Sequence, residues 1–171
     1  MDKAAGYSMQ AGDRARTLYA YAEARQHYSR ALDALAGLPD TEENRRQRVD
    51  TLIAQTVSSF RIDAPEQCLE RLTEAERLVQ ELPGPGGTSG GDRLRLARVH
   101  FWRGFAHYMH GAYRECIPYY RQALSVARES GDAELIAISS SATGQAMGHQ
   151  GRWGDAKTCL LYTSPSPRDR S

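Results

Sequence analysis

His100, His107, His110 and Cys116 carry ring nitrogens and a thiol of the kind that can hold zinc or run nucleophilic chemistry. His107 and His110 are three apart, so on a helix they point the same way. No second cysteine or carboxylate completes a ligand set, and polar histidines on a half-exposed helix are the expectation. Cys68, Cys116 and Cys159 are too few and too scattered for a disulfide framework. Cys68 and Cys116 fall where a small buried side chain is needed, which calls for an inert thiol. The stretch from Gly84 to Gly91 has the glycines of a phosphate loop but no lysine, and no strand pattern precedes it. It reads as a linker. Glu42, Glu43, Glu74 and Glu76 read as solvated or helix-start charges rather than an acid/base pair. The expectation is no catalytic residue, no cofactor-binding residue, no metal ligand and no cofactor.

The bulk numbers are those of an ordinary globular chain. The chain has 171 residues, 40% hydrophobic and 25% charged, with a formal charge of +1. That balance gives no basic excess for nucleic acid, and no apolar run is long enough to cross a bilayer. Met1 to Gly6 lacks the apolar stretch of a signal peptide, so a cytoplasmic protein is expected. Arginine is abundant while Lys3 and Lys157 are the only lysines, which is read here as codon bias. Residues 159–171 break the pattern. The string from Cys159 to Asp169 back-translates into the transposase adapter of sequencing libraries, so it is set aside as an artefact outside the fold.

What would position these residues is a repeat at helical spacing. Gly104-Phe105-Ala106 and Gly111-Ala112-Tyr113 recur 40 residues on as Gly144-Gln145-Ala146 and Gly151-Arg152-Trp153. Each unit reads as helix, glycine turn, helix. The turn glycine suits the left-handed conformation that ends many helices. Tyr113, Cys116, Ile117, Tyr120, Ala123, Leu124 and Ala127 form one apolar stripe, and Pro118 sits near the start of that helix. Tyr21, Ala24, Tyr28, Ala31 and Leu32 repeat the stripe position for position. The segmentation that follows is a first hairpin over 1–38, a divergent second over 42–82 and a Gly/Pro linker over 83–92. A third hairpin covers 93–130, and a truncated fourth covers 133–158. Asp40 or Thr41 is expected to cap the helix that starts the second hairpin.

Gly104, Tyr113, Cys116, Tyr120 and Ala123, with Gly144, Trp153 and Ala156, resemble the pattern of the tetratricopeptide family. The departures are Arg103 where the family has a large aliphatic, Cys116 for alanine, and repeats longer than the usual 34 residues. The resemblance implies an all-α fold, a tetratricopeptide-type α-solenoid of antiparallel helical hairpins. It also implies a groove lined by the first helices: Arg98, Phe101, Phe105, Tyr108, Met109, Ile138, Gln145 and His149. A protein or peptide partner is expected, with no nucleic acid and no membrane. Ala11 to Ala15, Tyr19 to Ala24 and Leu38 to Thr41 further resemble the start of the repeat region of large bacterial signalling ATPases. The expected function is an interaction or sensing scaffold within such a protein. A free-standing adaptor is the alternative, and a helical-repeat enzyme is the remote one.

Overall fold

The computed structural model describes residues 3–82 and 90–161. The linker expected over 83–92 lies outside the described residues as far as position 89, while residues 90–92 are helical; of the tail set aside over 159–171, residues 159–161 are helical and the rest lies outside the described residues. Among the described residues every regular element is a helix. In chain order these are α1 (Lys3–Thr17), α2 (Tyr21–Ala36), α3 (Glu42–Ser59), α4 (Pro65–Gln80), α5 (Gly90–Met109), α6 (Tyr113–Ser130), α7 (Ala133–His149) and α8 (Trp153–Leu161). They form two compact units, Met1–Val99 and His100–Ser171, with α5 running from one into the other.

In the first unit, α2 buries Ala24, Tyr28, Ala31 and Leu35, and α1 buries Ala5, Gly6, Gly12 and Ala15. The two helices meet at a ring set on a glycine: a methyl added to Gly12 would lie 2.7 Å from Tyr28. The Tyr28 hydroxyl, otherwise a buried orphan, donates to Asp13 at 2.7 Å. Burial first, and that carboxylate second, push the Tyr28 phenol up to about 12. The second unit repeats the arrangement. There a methyl on Gly104 would lie 2.8 Å from Tyr120, and α6 buries Cys116, Ile117, Tyr120, Ala123, Leu124 and Ala127.

The connections are equally regular. Gly111 and Gly151 take φ of 73° and 74°, and Tyr19 occupies the same place with φ of 59°. In all three turns the next backbone N–H reaches back five residues: Ala20 to Ala15 at 2.9 Å, Ala112 to His107 at 3.0 Å, and Arg152 to Met147 at 3.0 Å. A tyrosine therefore sits in a backbone conformation that side chains disfavour. Of the two candidate caps for α3, Thr41 accepts from the Asn44 N–H at 3.2 Å, while Asp40 is taken by Arg45. The Asn44 amide closes the preceding turn on the carbonyls of Leu35 and Pro39, each at 2.9 Å. Pro118 is the sixth residue of α6 rather than part of its first turn, so the Arg114 carbonyl loses its usual donor there.

The arginines are not idle surface charge. Asp92, fully buried, is gripped by Arg46 at 2.9 and 3.0 Å and by Arg95 at 3.0 Å, and Arg95 forks onto Asp50. Buried Asp63 is held by Arg25 and Arg71. Burial alone would raise the Asp63 carboxyl, but the Arg71 hydrogen bond and both positive charges hold it below its ordinary 3.8.

Three outcomes follow. Gly104→Ala should cost about 1–3 kcal/mol by overpacking, and that cost should shrink in a Tyr120→Leu background, as read by denaturant melts of all four combinations. Tyr19→Gly should raise stability by about 1 kcal/mol by relieving the left-handed strain, since Tyr19 is 78% exposed and gives up little packing. Because the folded Asp63 value is depressed, its contribution is present above its ordinary value and lost as pH falls through the folded one. Asp63→Asn should therefore lower the melting temperature at neutral pH and flatten its fall below about pH 4.

Candidate functional site

The second unit carries a continuous run of aromatic rings from α5 onto α7. Phe101 touches Trp102 (centroids 5.0 Å apart) and Tyr120 (5.6 Å), and Trp102 meets Phe105 at 5.6 Å. Phe105 stacks on Tyr108 at 6.4 Å. Tyr108 then meets Tyr113 at 5.4 Å and His149 at 5.6 Å. His149 lies flat on Tyr113 at 4.5 Å and 7° between planes, and its Nε2 is 3.0 Å from the Tyr108 hydroxyl. Residues three and four apart on α5 share a face, so the helix itself sets this ladder. The two-residue link through Gly131 and Asp132 sends α7 back alongside. Gly131 takes the left-handed cap at φ 71°, and Asp132 accepts from the Leu135 N–H at 2.9 Å.

Two open cavities border the ladder. One of about 350 Å³ is lined by Phe101, Phe105, Tyr108 and Tyr120 on one side and Ala137, Ile138, Ser141, Ala142 and Gln145 on the other. The second, about 550 Å³, lies at the far end, among Tyr108, Gly144, Gln145, Gly148, His149, Trp153, Ala156 and Lys157. A larger one of about 690 Å³ has a rim of mixed charge, Arg121, Arg128 and Arg152 against Glu129 and Asp155, with Arg152 already paired to Asp155 at 2.6 Å. It lacks the aromatic walls of the other two.

Phe101, Phe105, Tyr108, Ile138 and Gln145 of the expected groove come together around the first cavity, and Tyr108, Gln145 and His149 around the second. Met109, 55% exposed, lines neither cavity, and Arg98 is an exposed residue of the first unit. Phe101 is only 7% exposed, so much of it is core. The sequence reading did not place Tyr113, Tyr120 or Trp153 at the groove. The 40-residue offset carried the signal, since it aligns Trp153 with Tyr113.

The histidines and cysteines sit elsewhere. His107 lies against the Tyr119 ring at 5.5 Å and 7°, with His100 at 6.2 Å from the same ring. Burial, then the charge of Arg103, hold His107 below its ordinary value. The buried Cys116 thiol donates to the Tyr113 carbonyl at 3.3 Å, and burial pushes it up to about 11. A thiol held protonated to that extent is a poor nucleophile. What the arrangement offers is a surface for burying apolar side chains and stacking rings, with His149, Gln145 and Lys157 for polar anchoring.

Residues 97–130 match the family model of the tetratricopeptide repeat. No curated protein matches the chain. Among solved structures, the tetratricopeptide domain of Arabidopsis FLU superposes with a TM-score of 0.59 at 18% identity, over 70% of this chain and 93% of that one. The Rap conjugation gene regulator of the plasmid pLS20, solved in complex with a Phr peptide, gives 0.74 at 21% identity over 95% of this chain. The chain spans 43% of that regulator's length. Among the described residues the fold is all-helical and of the tetratricopeptide solenoid type, with residues 97–130 matching the repeat's family model.

Proposed function

We propose that the chain is a peptide-binding interaction module, and that an extended segment of a partner protein lies along the cavity walled by Phe105, Tyr108 and Ile138. The observation that carries this reading is the ring ladder flanking an open cavity of about 350 Å³. Rings already fixed by their neighbours lose little freedom on binding, so burying a partner's apolar side chain there yields affinity at low entropic cost. Gln145 offers an amide donor and acceptor for the backbone of an extended peptide. The peptide seen in the Rap regulator complex supports a peptide occupant for this fold. The near-neutral charge favours a protein partner over nucleic acid, in a cytoplasmic setting. The resemblance of residues 11–15, 19–24 and 38–41 to the repeat region of signalling ATPases suggests that the module serves such an enzyme within a longer protein. The coding sequence on either side decides that point.

A random peptide library displayed on phage and panned against the chain should yield binders with a bulky apolar residue. Ile138→Asp and Phe105→Ala should each weaken the selected peptides by about tenfold or more. Ile138 is 36% exposed, so its substitution should leave the melting temperature nearly unchanged. No enrichment over a blank surface, or equal binding by Ile138→Asp, would reject the groove.

A further inference from the structure

The cavity of about 350 Å³ between α5 and α7 has one aromatic wall and one bare one. Under the 40-residue offset that aligns the third hairpin with the fourth, Phe101, Trp102 and Phe105 of α5 correspond to Ser141, Ala142 and Gln145 of α7. All three of these α7 residues line the cavity. Part of its space is therefore room that rings take up on α5 and that α7 leaves unfilled. The rings opposite are held by one another: Phe101 by Tyr120 at 5.6 Å, and Phe105 by Trp102 at 5.6 Å and Tyr108 at 6.4 Å. Among the described residues no charged side chain lines the cavity, so an ionised group entering it would give up water and find no counter-charge. The bare wall is nonetheless polar at its rim. The exposed Gln145 amide nitrogen donates to the Ser141 hydroxyl at 3.2 Å, which ties the side chain along α7 and leaves its Oε1 without a donor among the described residues. That oxygen can accept a hydrogen bond from an occupant, and the second Nε2 hydrogen stays available to a peptide backbone.

We propose that this cavity is a pocket for one aromatic side chain of the bound peptide, a tyrosine or a tryptophan, with its ring against Phe105 and its O–H or N–H on Gln145 Oε1. The pocket depends on the peptide groove described above and names the residue that the groove selects. Ala142 sets the specificity, because its methyl leaves open the space that the Trp102 indole takes at the matching position one hairpin earlier. Leucine fills that space but brings neither a ring edge for Phe105 nor a donor for Gln145. Phenylalanine brings the ring alone. Tyrosine and tryptophan carry a polar handle on an apolar body, and a pocket with apolar walls and one acceptor at its rim suits that combination.

The probes are capped peptides, acetyl-Ser-Thr-Ala-X-Ala-Thr-Ser-amide with X as tyrosine, phenylalanine, leucine or aspartate, titrated into the whole chain labelled with nitrogen-15. Shifts of the Gln145 side-chain amide and the Ala142 backbone amide report binding in the groove. The tyrosine peptide should bind about two- to tenfold more tightly than the phenylalanine one, the worth of one hydrogen bond. Phenylalanine should exceed leucine by about the same factor through ring contact, and aspartate should be weakest. Gln145→Leu should bring tyrosine down to the level of phenylalanine. Ala142→Trp should weaken the tyrosine peptide about tenfold or more by filling the pocket, whereas Ala142→Ser, which keeps the space, should bind it as the unsubstituted chain does. Melting temperatures confirm that each variant is folded, and Ser141→Phe fills the same space should Ala142→Trp fail to fold. Leucine binding as tightly as tyrosine, or undiminished binding by both filled variants, would overturn the pocket while leaving the groove standing. No shift with any of the peptides would overturn both.

Discussion

The contact on which the hairpins turn is a tyrosine ring laid on a glycine of the preceding helix, Tyr28 on Gly12 and Tyr120 on Gly104. It brings two helix backbones close enough that one residue supplies most of the packing area and the other supplies none. Close-packed interiors have no slack at such a point, so the two residues have to agree with each other before anything else in the hairpin can settle. The small residues around them, Ala24 and Ala31 in one hairpin and Cys116 and Ala123 in the other, are a consequence of the same close approach. The ring ladder inherits its position from it as well, because Phe101 leans on Tyr120.

This pairing also explains what the amino-acid pattern revealed and what it hid. The third and fourth hairpins were legible because glycine, aromatic and small residues recur at one offset of 40 residues. The second hairpin looked divergent for a physical reason. Leu72 stands where the first and third hairpins have Tyr28 and Tyr120, and α3 has no glycine to receive a ring. Part of its buried stripe is also polar in name only. Thr51, Thr56 and Ser58 turn their hydroxyls back onto carbonyls four residues earlier, at 2.7 to 3.0 Å, and pack as small apolar groups. A hydropathy pattern scores such residues as surface.

Two features lay beyond any local pattern. Tyr19 fills a glycine's place in the first turn, two residues before Tyr21 as Gly111 is before Tyr113, but its residue type gives no sign of the left-handed conformation. The arginine clamps join residues 46, 45 and 38 positions apart in sequence: Arg46 with Asp92, Arg95 with Asp50, and Arg25 with Asp63. What composition alone makes look like codon bias is in part a set of clamps on carboxylates, forked at buried Asp92 and half-buried Asp50, a geometry lysine would not reproduce. The aromatic members of the candidate groove, Phe101, Phe105 and Tyr108, were expected from the tetratricopeptide resemblance rather than from spacing. Their edges were not, since Trp153 and Gly148 matter through a neighbouring turn rather than through their own helix.

The ring on glycine has a further consequence, for the order in which such a hairpin can change over generations. While the tyrosine is present, almost any replacement of its glycine meets the ring and is rejected. Once the tyrosine has given way to a leucine, the glycine is released and can drift to threonine, serine or alanine, after which the tyrosine cannot easily return. The pair thus behaves as a ratchet with a preferred first step. The hairpins built on Gly12 with Tyr28 and on Gly104 with Tyr120 carry that constraint, and the one built on Leu72, with Thr56 in the glycine's place, does not.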